Sequence, residues 1–430
     1  MKTLVIGTGG REHALALALS QDPSVAEVHA APGNPGIAAV ATLHDVDPMS
    51  GAAVADLAAA LGVDLVVVGP EAPLVAGVAD AVRDRGIAVF GPSAAAARLE
   101  GSKAFAKDVM AAAGVPTAGA QVCTTASEVV AALDTYGPPY VVKDDALAAG
   151  KGVVVTRDRD EALAHAESCD RVVVEEFLDG PEVSVFAICD GTTAYALQPA
   201  QDFKRIFDGG RGPNTGGMGA YSPLTWTRPD LAEVVLEQVV RPTLAEMARR
   251  DAPFVGCLYV GLALTPAGPR VIEFNVRFGD PDSQPVLALL ESPLGELLHA
   301  AATGHLADLP APTFADGAAV TVVLASAGYP ESSSRGDVIR GVGAAGGVHD
   351  VDVIHAGTAI VAAPEPGDPD HRHLVTAGGR VLAVRARGYD VDDARARAYA
   401  AADLITFDGL QRRSDIAAEP LGVVEGASLR

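Results

Sequence analysis

Three polar side chains alternate with apolar ones in residues 271–277, at Glu273, Asn275 and Arg277. Successive side chains of a β-strand point to opposite faces, so these three would share one face while the intervening Ile, Phe and Val residues face a core. Oxygen ligands two residues apart suit Mg²⁺, whose octahedron phosphate oxygens can complete, and the arginine could hold a carboxylate or phosphate. The alternative is the polar face of an antiparallel sheet without a ligand.

Two lysines flank a loop of small residues between two apolar segments: Lys143 precedes the loop, and Lys151 lies within Gly150-Lys151-Gly152. This is not a Walker A motif, because no Ser or Thr follows Lys151 and the next segment has the pattern of a strand. A hairpin of this kind can fold over a polyphosphate, with backbone amides and two ammonium groups opposing its charge. A plain exposed hairpin is the alternative.

A glycine loop, residues 7–12, follows the first apolar segment and precedes a helical pattern. The free backbone N–H groups of a helix N-terminus attract anions. A dinucleotide fingerprint is disfavoured, because Glu12 stands at its third glycine and the second predicted strand ends without an acidic residue. Arg11 instead indicates a terminal phosphate, with a solvated arginine as the alternative. Glu71 ends the third predicted strand at the same sheet edge, where it could hold sugar hydroxyls or an amine, or adjoin a helix N-cap.

Two further segments are candidates because of their composition. An apolar strand runs into a turn at residues 175–180, where backbone groups could meet an adenine edge and Glu182 could take ribose hydroxyls. A long polar loop begins near Asp202 and contains glycines around Met218. Long loops are usually functional or disordered, and glycine lets the backbone approach a small ligand closely.

The elements that position these residues follow from hydrophobic periodicity. Strands alternate with helices over the first hundred residues, which predicts a doubly wound parallel sheet. Residues 171–176 and 182–188 are predicted to form a strand pair, 209–219 a loop and 230–250 a helix.

Composition limits the class of protein. The 430 residues are 49% hydrophobic and 20% charged, which is typical of a globular chain of two to four domains. The net charge of −23 disfavours a nucleic-acid or anionic membrane surface, and no apolar run approaches the roughly 18 residues of a membrane span. The glycine loop comes too early for a secretory signal, so we expect a cytoplasmic protein.

In this order, the motifs resemble those of the ATP-grasp ligases and, within them, the family that joins glycine to 5-phosphoribosylamine. The resemblance covers nearly the whole chain. It rests on seven runs, at residues 7–14, 69–74, 99–103, 147–153, 175–180, 212–223 and 273–281.

The resemblance implies a ligase of purine biosynthesis that converts ATP, glycine and 5-phosphoribosylamine into ADP, phosphate and glycinamide ribonucleotide through a glycyl phosphate. It implies Mg²⁺ or Mn²⁺ on Glu273 and Asn275, with Lys151, Arg277 and Asp202 as catalytic residues. The implied ATP-binding residues are Lys103, Lys143, Gly150, Lys151, Gly152, Glu175, Glu176, Phe177, Leu178 and Glu182. The implied substrate-binding residues are Gly9, Gly10, Arg11, Glu12, Glu71, Asn214, Thr215, Gly216, Gly217, Met218 and Arg277.

The resemblance also implies an α/β and α+β multidomain architecture. We expect an N-terminal α/β domain over residues 1–103, an ATP-grasp domain over 104–316 with a mobile lid at about 120–180, and a small C-terminal α+β domain over 317–430. We expect a monomer that binds small molecules and neither nucleic acid nor membrane.

The chain departs from the family pattern at three places, one of which is a shorter segment between Thr156 and Arg171. Residues 143–146 read Lys-Asp-Asp-Ala where the family more often has Lys-Ala-Asp-Gly, and Phe203 stands where a histidine is common. Three other functions remain as alternatives: a different ATP-grasp ligase or carboxylase, a nucleotide-binding regulator without catalysis, and a nicotinamide dehydrogenase. Retention of the lysines and metal ligands disfavours the regulator, and Glu12 disfavours the dehydrogenase.

Overall fold

A computed structural model describes residues 1–147, 152–363 and 372–419. Gly150 and Lys151, both predicted to bind ATP, lie outside the described residues. Within the described part of the chain, no helix is long and apolar enough to cross a membrane.

The N-terminal part forms the predicted doubly wound parallel sheet. Its elements are β1 (Lys2–Gly7), α1 (Gly10–Gln21), β2 (Glu27–Pro32), β3 (Thr42–Leu43), α2 (Gly51–Leu61), β4 (Leu65–Val68), α3 (Glu71–Val75), α4 (Val78–Arg83), β5 (Ala88–Phe90) and α5 (Ala94–Gly101). All strands are parallel in the order β3-β2-β1-β4-β5. Leu4 and Ile6 belong to one core cluster and Val5 to another, so each face of β1 packs against its own layer. The strand order reverses between β1 and β4, and the loops after these strands meet at this switch point.

The predicted lid is a separate antiparallel unit. After α6 (Lys103–Ala113) come β6 (Ala120–Cys123), α7 (Ala126–Tyr136), β7 (Tyr140–Asp144), β8 (Val153–Thr156), α8 (Arg159–Glu167) and β9 (Val172–Glu175). These strands form a sheet in the order β6-β9-β7-β8, which we call the lid sheet. Leu133, Val142 and Val174 belong to a core cluster distinct from the other two.

A central sheet and a polar hairpin follow. The elements are β10 (Glu182–Asp190), β11 (Ala194–Ala196), β12 (Gln201–Asp202), β13 (Arg205–Phe207), β14 (Arg211–Asn214), β15 (Gly219–Ser222), α9 (Leu231–Val235), α10 (Arg241–Arg249), β16 (Val255–Thr265), β17 (Gly268–Asn275), α11 (Ser283–Leu289) and α12 (Leu294–Thr303). The central sheet has the order β11-β10-β16-β17. A π-helical segment, Leu236–Val240, joins α9 to α10, so the predicted helix over 230–250 is confirmed as one helical run.

Two local predictions are wrong. Residues 171–176 do not pair with 182–188, because β9 pairs with β6 and β7 while β10 pairs with β11 and β16. An apolar run predicts a strand but does not specify its partner. The predicted loop over 209–219 contains β14, which pairs with β13 through backbone groups and needs no apolar side chains.

The alternation along β17 is confirmed with one exception. Phe274 and Val276 lie in the main core, at 3% and 0% exposure. Ile272, expected in the same core, is only half-buried. The pairing of β17 with β16 is irregular there, since Gly261 pairs with Glu273 but Leu262 pairs with Val271. This irregularity leaves Ile272 outside the ladder, as in a β-bulge.

The C-terminal part adds β18 (Ala318–Ala325), α13 (Val342–Gly346), β19 (Val351–His355), β20 (Thr358–Ala362), β21 (Arg372–Thr376), β22 (Arg380–Gly388) and α14 (Val391–Ala402). Its main sheet has the order β12-β15-β18-β22-β19. Two of these strands, β12 and β15, flank residues 203–218, which we call the glycine-rich loop. The C-terminal sheet therefore holds both ends of that loop.

Candidate active site

A buried carboxylate organises the first glycine loop. Glu12 is 1% exposed and accepts hydrogen bonds from the N–H of Gly9 at 2.5 Å and from Nε of Arg11 at 2.6 Å. A Cβ atom on Gly69 would lie 2.1 Å from Oε1 of Glu12, and one on Gly7 would lie 2.6 Å from its Cγ. Glycine is therefore required at the ends of β1 and β4 because the Glu12 side chain fills the space between them.

Arg11 turns into the protein and is only 8% exposed. Its Nη1 donates to the carbonyl of Phe278 at 3.2 Å and lies 3.9 Å from Oε2 of Glu71. The fold thus brings Arg11 and Glu71 to one place, as their positions after parallel strands predict. The phosphate contact of Arg11 stays a prediction, and in this structure its guanidinium binds protein acceptors.

Arg277 joins the end of the central sheet to the N-terminal switch point. Its Nε donates to Oε2 of Glu71 at 3.2 Å, and its Nη2 donates to Oε1 of Glu100 at 2.9 Å and to Oδ1 of Asn275 at 3.2 Å. Together with Arg11 these charged side chains form a buried group of two arginines and two glutamates. We call Arg11, Glu71, Glu100 and Arg277 the switch-point cluster.

Electrostatics within the switch-point cluster keep most of it ionised. Burial alone would raise the pKa of Glu71, but Arg277 and Arg11 outweigh it and lower that pKa. Burial dominates at Glu100 and raises its pKa despite the ion pair with Arg277. Burial would lower the pKa of Arg277, yet Glu100 and Glu71 hold it above its ordinary value.

Glu273 and Asn275 remain the candidate metal ligands. No hydrogen bond or ion pair of the Glu273 carboxylate occurs within the described part of the chain. Burial would raise its pKa, but Lys204, Lys143 and Lys103 outweigh burial and lower it, so the carboxylate is ionised. An ionised carboxylate beside an amide oxygen suits Mg²⁺, which takes few protein ligands and keeps waters and phosphate oxygens. Residues 1–147, 152–363 and 372–419 contain no cluster of three or more His, Cys, Asp or Glu side chains able to hold a metal.

Of the predicted ATP lysines that the structure describes, Lys143 contacts a buried glutamate and Lys103 contacts a backbone carbonyl. Lys143 donates from Nζ to the carbonyl of Ile272 at 2.9 Å and forms an ion pair with Glu175 at 3.0 Å. Glu175 is 3% exposed, so its carboxylate holds lysines and only its backbone remains for an adenine. Lys103 donates to the carbonyl of Ala146 at 3.1 Å. This hydrogen bond joins the start of α6 to the segment that follows β7.

Lys107, which was not among the predicted site residues, also lies beside Glu175. Its Nζ lies 3.2 Å from Oε2 of Glu175, and burial lowers its pKa to about 8 despite that partner. Lys107 follows Lys103 by four residues on α6, the spacing that places two side chains on one helix face. That four-residue spacing was the sequence feature from which Lys107 could have been predicted as a neighbour of Lys103.

The remaining predicted ATP-binding residues continue along the same edge. Glu176 forms an ion pair with Arg270 at 2.9 Å. Phe177 is 40% exposed and Leu178 is half-buried. Glu182 forms an ion pair with Lys204 at 2.9 Å.

Asp202 and Lys204 form a second charged group near Glu273. Burial raises the pKa of Asp202 to about 7, with Lys204 opposing and Asp282, Glu182 and Glu273 adding to the rise. The surrounding acids, led by Glu182, hold the pKa of Lys204 well above its ordinary value against burial. Asp202 can therefore change protonation near neutral pH, which suits an acid–base group. Its catalytic role stays a prediction.

The glycine-rich loop is ordered by its own backbone and by Thr215. The Thr215 hydroxyl donates to the carbonyl of Lys204 at 2.8 Å and accepts from the N–H of Gly217 at 2.9 Å. Gly217 has φ +109°, and a Cβ atom there would lie 2.5 Å from Cδ of Pro281. Asn214 pairs with Arg205 in the polar hairpin. The Met218 side chain is fully buried in the main core, so only its backbone can contact a substrate.

The departures from the family pattern have distinct structural consequences. At residues 143–146 the departures are Asp144, whose N–H donates to the carbonyl of Gly152 at 2.7 Å, and Ala146, whose carbonyl accepts from Nζ of Lys103 at 3.1 Å. Asp145, which matches the family pattern, accepts from the hydroxyl of Ser102 at 3.1 Å and from the N–H of Ala104 at 2.8 Å, so it binds the first turn of α6. Phe203 is fully buried, with the Arg413 guanidinium 5.0 Å from its ring centroid. A core phenylalanine cannot transfer protons, which leaves Asp202 as the acid–base candidate of this segment.

Comparisons with known proteins match three consecutive parts of the chain to one family. Family models for phosphoribosylglycinamide synthetase match residues 1–100 (N domain), 101–283 (ATP-grasp domain) and 319–419 (C domain). A phosphoribosylamine–glycine ligase of Streptomyces coelicolor is 62% identical over 98% of this chain and 100% of its own, and one of Mycobacterium bovis is 54% identical over 97% of each chain.

Solved structures agree with this assignment. The crystal structure of a Thermotoga maritima phosphoribosylamine–glycine ligase superposes with a TM-score of 0.81 at 32% identity, covering 97% of this chain and 100% of that chain. The biotin carboxylase domain of a Hydrogenobacter thermophilus 2-oxoglutarate carboxylase shares the fold alone, with a TM-score of 0.71 at 16% identity over 96% of this chain and 91% of that one. The predicted fold class is confirmed, and the chain belongs to the phosphoribosylglycinamide synthetase family.

Proposed function

We propose that this chain joins glycine to 5-phosphoribosylamine in an ATP-dependent reaction that yields glycinamide ribonucleotide, ADP and phosphate. The observation that supports the proposal most strongly is the pair of contacts that Arg277 makes with Glu71 and Asn275. Arg277 lies two residues beyond the candidate metal ligand Asn275 and binds Glu71 at the mouth of the parallel sheet. The phosphoryl-transfer side and the acceptor side therefore meet at one guanidinium.

The chemistry requires this arrangement because a carboxylate does not condense with an amine unaided. A carboxylate oxygen of glycine attacks the γ-phosphorus of ATP, and ADP leaves. The phosphoribosylamine nitrogen then attacks the carbonyl carbon of the glycyl phosphate, phosphate leaves, and the nitrogen loses a proton. Both steps depend on positioning and on neutralising charge, and no covalent intermediate with the protein forms.

Residues of this chain take separate parts in these steps. Arg277 opposes the negative charge of the transferring phosphoryl group, while Lys143 and Lys103 lie along the ATP phosphates with Lys151 of the lid loop. Glu71, kept ionised by Arg277 and Arg11, is an acceptor for the amine or the sugar hydroxyls of phosphoribosylamine. Mg²⁺ or Mn²⁺ on Glu273 and Asn275 would supply Lewis-acid neutralisation of the outer phosphates.

Other properties stay proposals of the same kind. The solved biotin carboxylase domain binds ADP with magnesium, which supports a divalent metal here without identifying it. A monomeric state and a cytoplasmic location remain predictions from the sequence.

Measurement of ADP release tests the proposed function. Mg-ATP is supplied with both other substrates and then with each omitted in turn, while the unstable amine is generated in place. We expect net turnover only with both, together with a product of the mass of glycinamide ribonucleotide. Release that ignores glycine would move the function to another ATP-grasp reaction, and no release under any combination would favour a nucleotide-binding regulator.

A further inference from the structure

Two side chains of the C-terminal sheet region bind the backbone of Gly216 in the glycine-rich loop. The N–H of Gly216 donates to the hydroxyl of Tyr329 at 2.9 Å, and its carbonyl accepts from Nη1 of Arg380. Gly216 is exposed, so no burial in a core restrains its backbone. The orientation of its two peptide groups therefore depends on these contacts, together with the hydrogen bond from the N–H of Gly217 to the Thr215 hydroxyl.

Arg380 also binds the segment that follows the candidate metal strand. Its Nη2 donates to Oδ2 of Asp280 at 3.0 Å, and its Nη1 donates to the Asp280 carbonyl. Burial would lower the pKa of Arg380, but Asp280, Tyr329 and Asp282 together outweigh burial and raise it. One charged guanidinium thus joins the glycine-rich loop to Asp280.

Asp280 in turn lies against the first glycine loop. A Cβ atom on Gly10 would lie 3.1 Å from Oδ1 of Asp280, and Gln284 donates to that same oxygen at 2.9 Å. Arg380 therefore contacts the glycine-rich loop directly and, through Asp280, lies close to the glycine loop at residues 7–12. The arginine lies on β22, far from both loops in sequence.

Arg380 and Tyr329 each pack closely against a glycine. A Cβ atom on Gly216 would lie 2.9 Å from Cζ of Arg380, and one on Gly379 would lie 2.4 Å from Cδ2 of Tyr329. Glycine at these positions allows the arginine and the tyrosine to reach the loop.

We propose that Arg380 and Tyr329 are positioning residues of the acceptor side, which orient the Gly216 peptide and Asp280 so that bound glycyl phosphate faces the amine and not water. This inference rests on the proposed function. If the peptide turns, water can attack the acyl carbon, and glycyl phosphate plus water returns glycine plus phosphate. ADP is then formed without product.

The test compares Arg380→Lys and Tyr329→Phe with Arg387→Lys. Arg387 lies on the same strand, is 52% exposed at its side chain and forms an ion pair with Asp350, so it is a matched control. Lysine keeps the charge but lacks the planar fork whose two nitrogens bind the loop carbonyl together with the carbonyl and Oδ2 of Asp280, and phenylalanine removes a single hydrogen-bonding hydroxyl. The measurements are the KM for glycine, the KM for ATP, and the ratio of ADP to glycinamide ribonucleotide formed, with thermal unfolding as the check on folding.

We expect Arg380→Lys to raise the KM for glycine about tenfold, the equivalent of losing one hydrogen bond to a charged group. The KM for ATP should stay within about twofold, and the ratio of ADP to product should rise above that of the wild type. Tyr329→Phe should change the same quantities in the same direction by a smaller factor. A merely structural role would lower the unfolding temperature and leave the ratio and the KM difference unchanged.

Values for both variants equal to those of Arg387→Lys would overturn the inference while the proposed function stands. If Arg380→Lys does not fold, Tyr329→Phe decides the question by the same ratio. A wild-type protein that makes no glycinamide ribonucleotide from all three substrates would overturn the proposed function, and the inference with it.

Discussion

The switch-point cluster and the lid sheet are built in opposite ways. The cluster joins α1, α3, α5 and the segment after β17 through largely buried ion pairs, two of which involve Arg277. The lid sheet has its own small core, distinct from the two clusters that fill the rest of the protein. Polar contacts of Lys107 with Glu175 and of Asp145 with the start of α6 join it to the rest.

The difference separates the two tasks of the proposed reaction. Groups that oppose charge in a transition state work best when they are oriented before the substrate arrives, and buried ion pairs supply that orientation. A cover over ATP must let nucleotide in and out, and a unit with a separate core can move without disturbing the main core. We therefore expect the acceptor side to be preorganised and the lid sheet to move as a unit over ATP.

The largest expected effect comes from β17, the strand that carries the candidate metal ligands Glu273 and Asn275. Glu273→Ala should lower kcat by at least about a thousandfold, because the proposed metal would lose its carboxylate ligand Glu273. Folding should be unaffected, since the carboxylate has no partner within the described residues. Product formation and thermal unfolding of this variant are measured beside Glu233→Ala, which changes an exposed glutamate of α9. Normal turnover of Glu273→Ala with Mg²⁺ would remove Glu273 from the site.

Removal of Arg277 tests whether the cluster is preorganised. Arg277→Met should destabilise folding by about 3–5 kcal/mol, because Glu100 is left buried without its counter-charge. Denaturant unfolding measures the loss. In the double variant Arg277→Met with Glu100→Gln, part of the stability should return, since the uncompensated charge is gone. Equal stability of the single and double variants would show that the ion pair does not hold this junction.

Matched core truncations test whether the lid sheet is a separate unit. Leu133→Ala and Leu15→Ala each remove a fully buried leucine, one in the lid core and one in the core beneath α1. Each should cost about 2–5 kcal/mol. Hydrogen exchange should quicken over residues 120–175 alone for Leu133→Ala, but across the N-terminal sheet for Leu15→Ala. If Leu133→Ala loosened both regions together, the lid would not be independent.

The smallest expected effect concerns pH and Asp202 of β12, whose electrostatic neighbours include Glu273. The pKa of Asp202 is raised from 3.8 to about 7, chiefly by burial, so between these values the folded protein holds a proton that the unfolded chain has lost. Stability therefore falls as pH rises through this window and levels off above it. Asp202→Asn keeps the neutral form, so its unfolding temperature should exceed that of the wild type by a margin that grows from pH 5 to 8.

The expected margin for Asp202→Asn is a few degrees, at roughly 2–4 °C per kcal/mol. Asp84→Asn, at an exposed position, is the control and should show no such trend. A margin that stays constant with pH would mean that Asp202 is ionised throughout.

The candidate site was predicted in part, and the reason differs from residue to residue. Alternation along one strand was sufficient to place Glu273, Asn275 and Arg277 together, because period-two geometry is local. The convergence of Arg11 and Glu71 followed from the rule that loops after parallel strands share an edge. Lys107 and Arg380 were missed because their partners lie on other elements. The assignments of ATP-binding and substrate-binding residues stay predictions.

The sequence by itself determined the doubly wound N-terminal sheet, the helical run over residues 230–250, and the family with its proposed chemistry. These follow from periodicity, loop glycines and ordered motifs, all of which are local or sequential. The tertiary structure alone decided that β9 pairs within the lid sheet, that Arg11 turns inward, and that β22 delivers Arg380 to the glycine-rich loop. Such choices depend on free energies of contact between segments far apart in the chain, and no single segment contains that information.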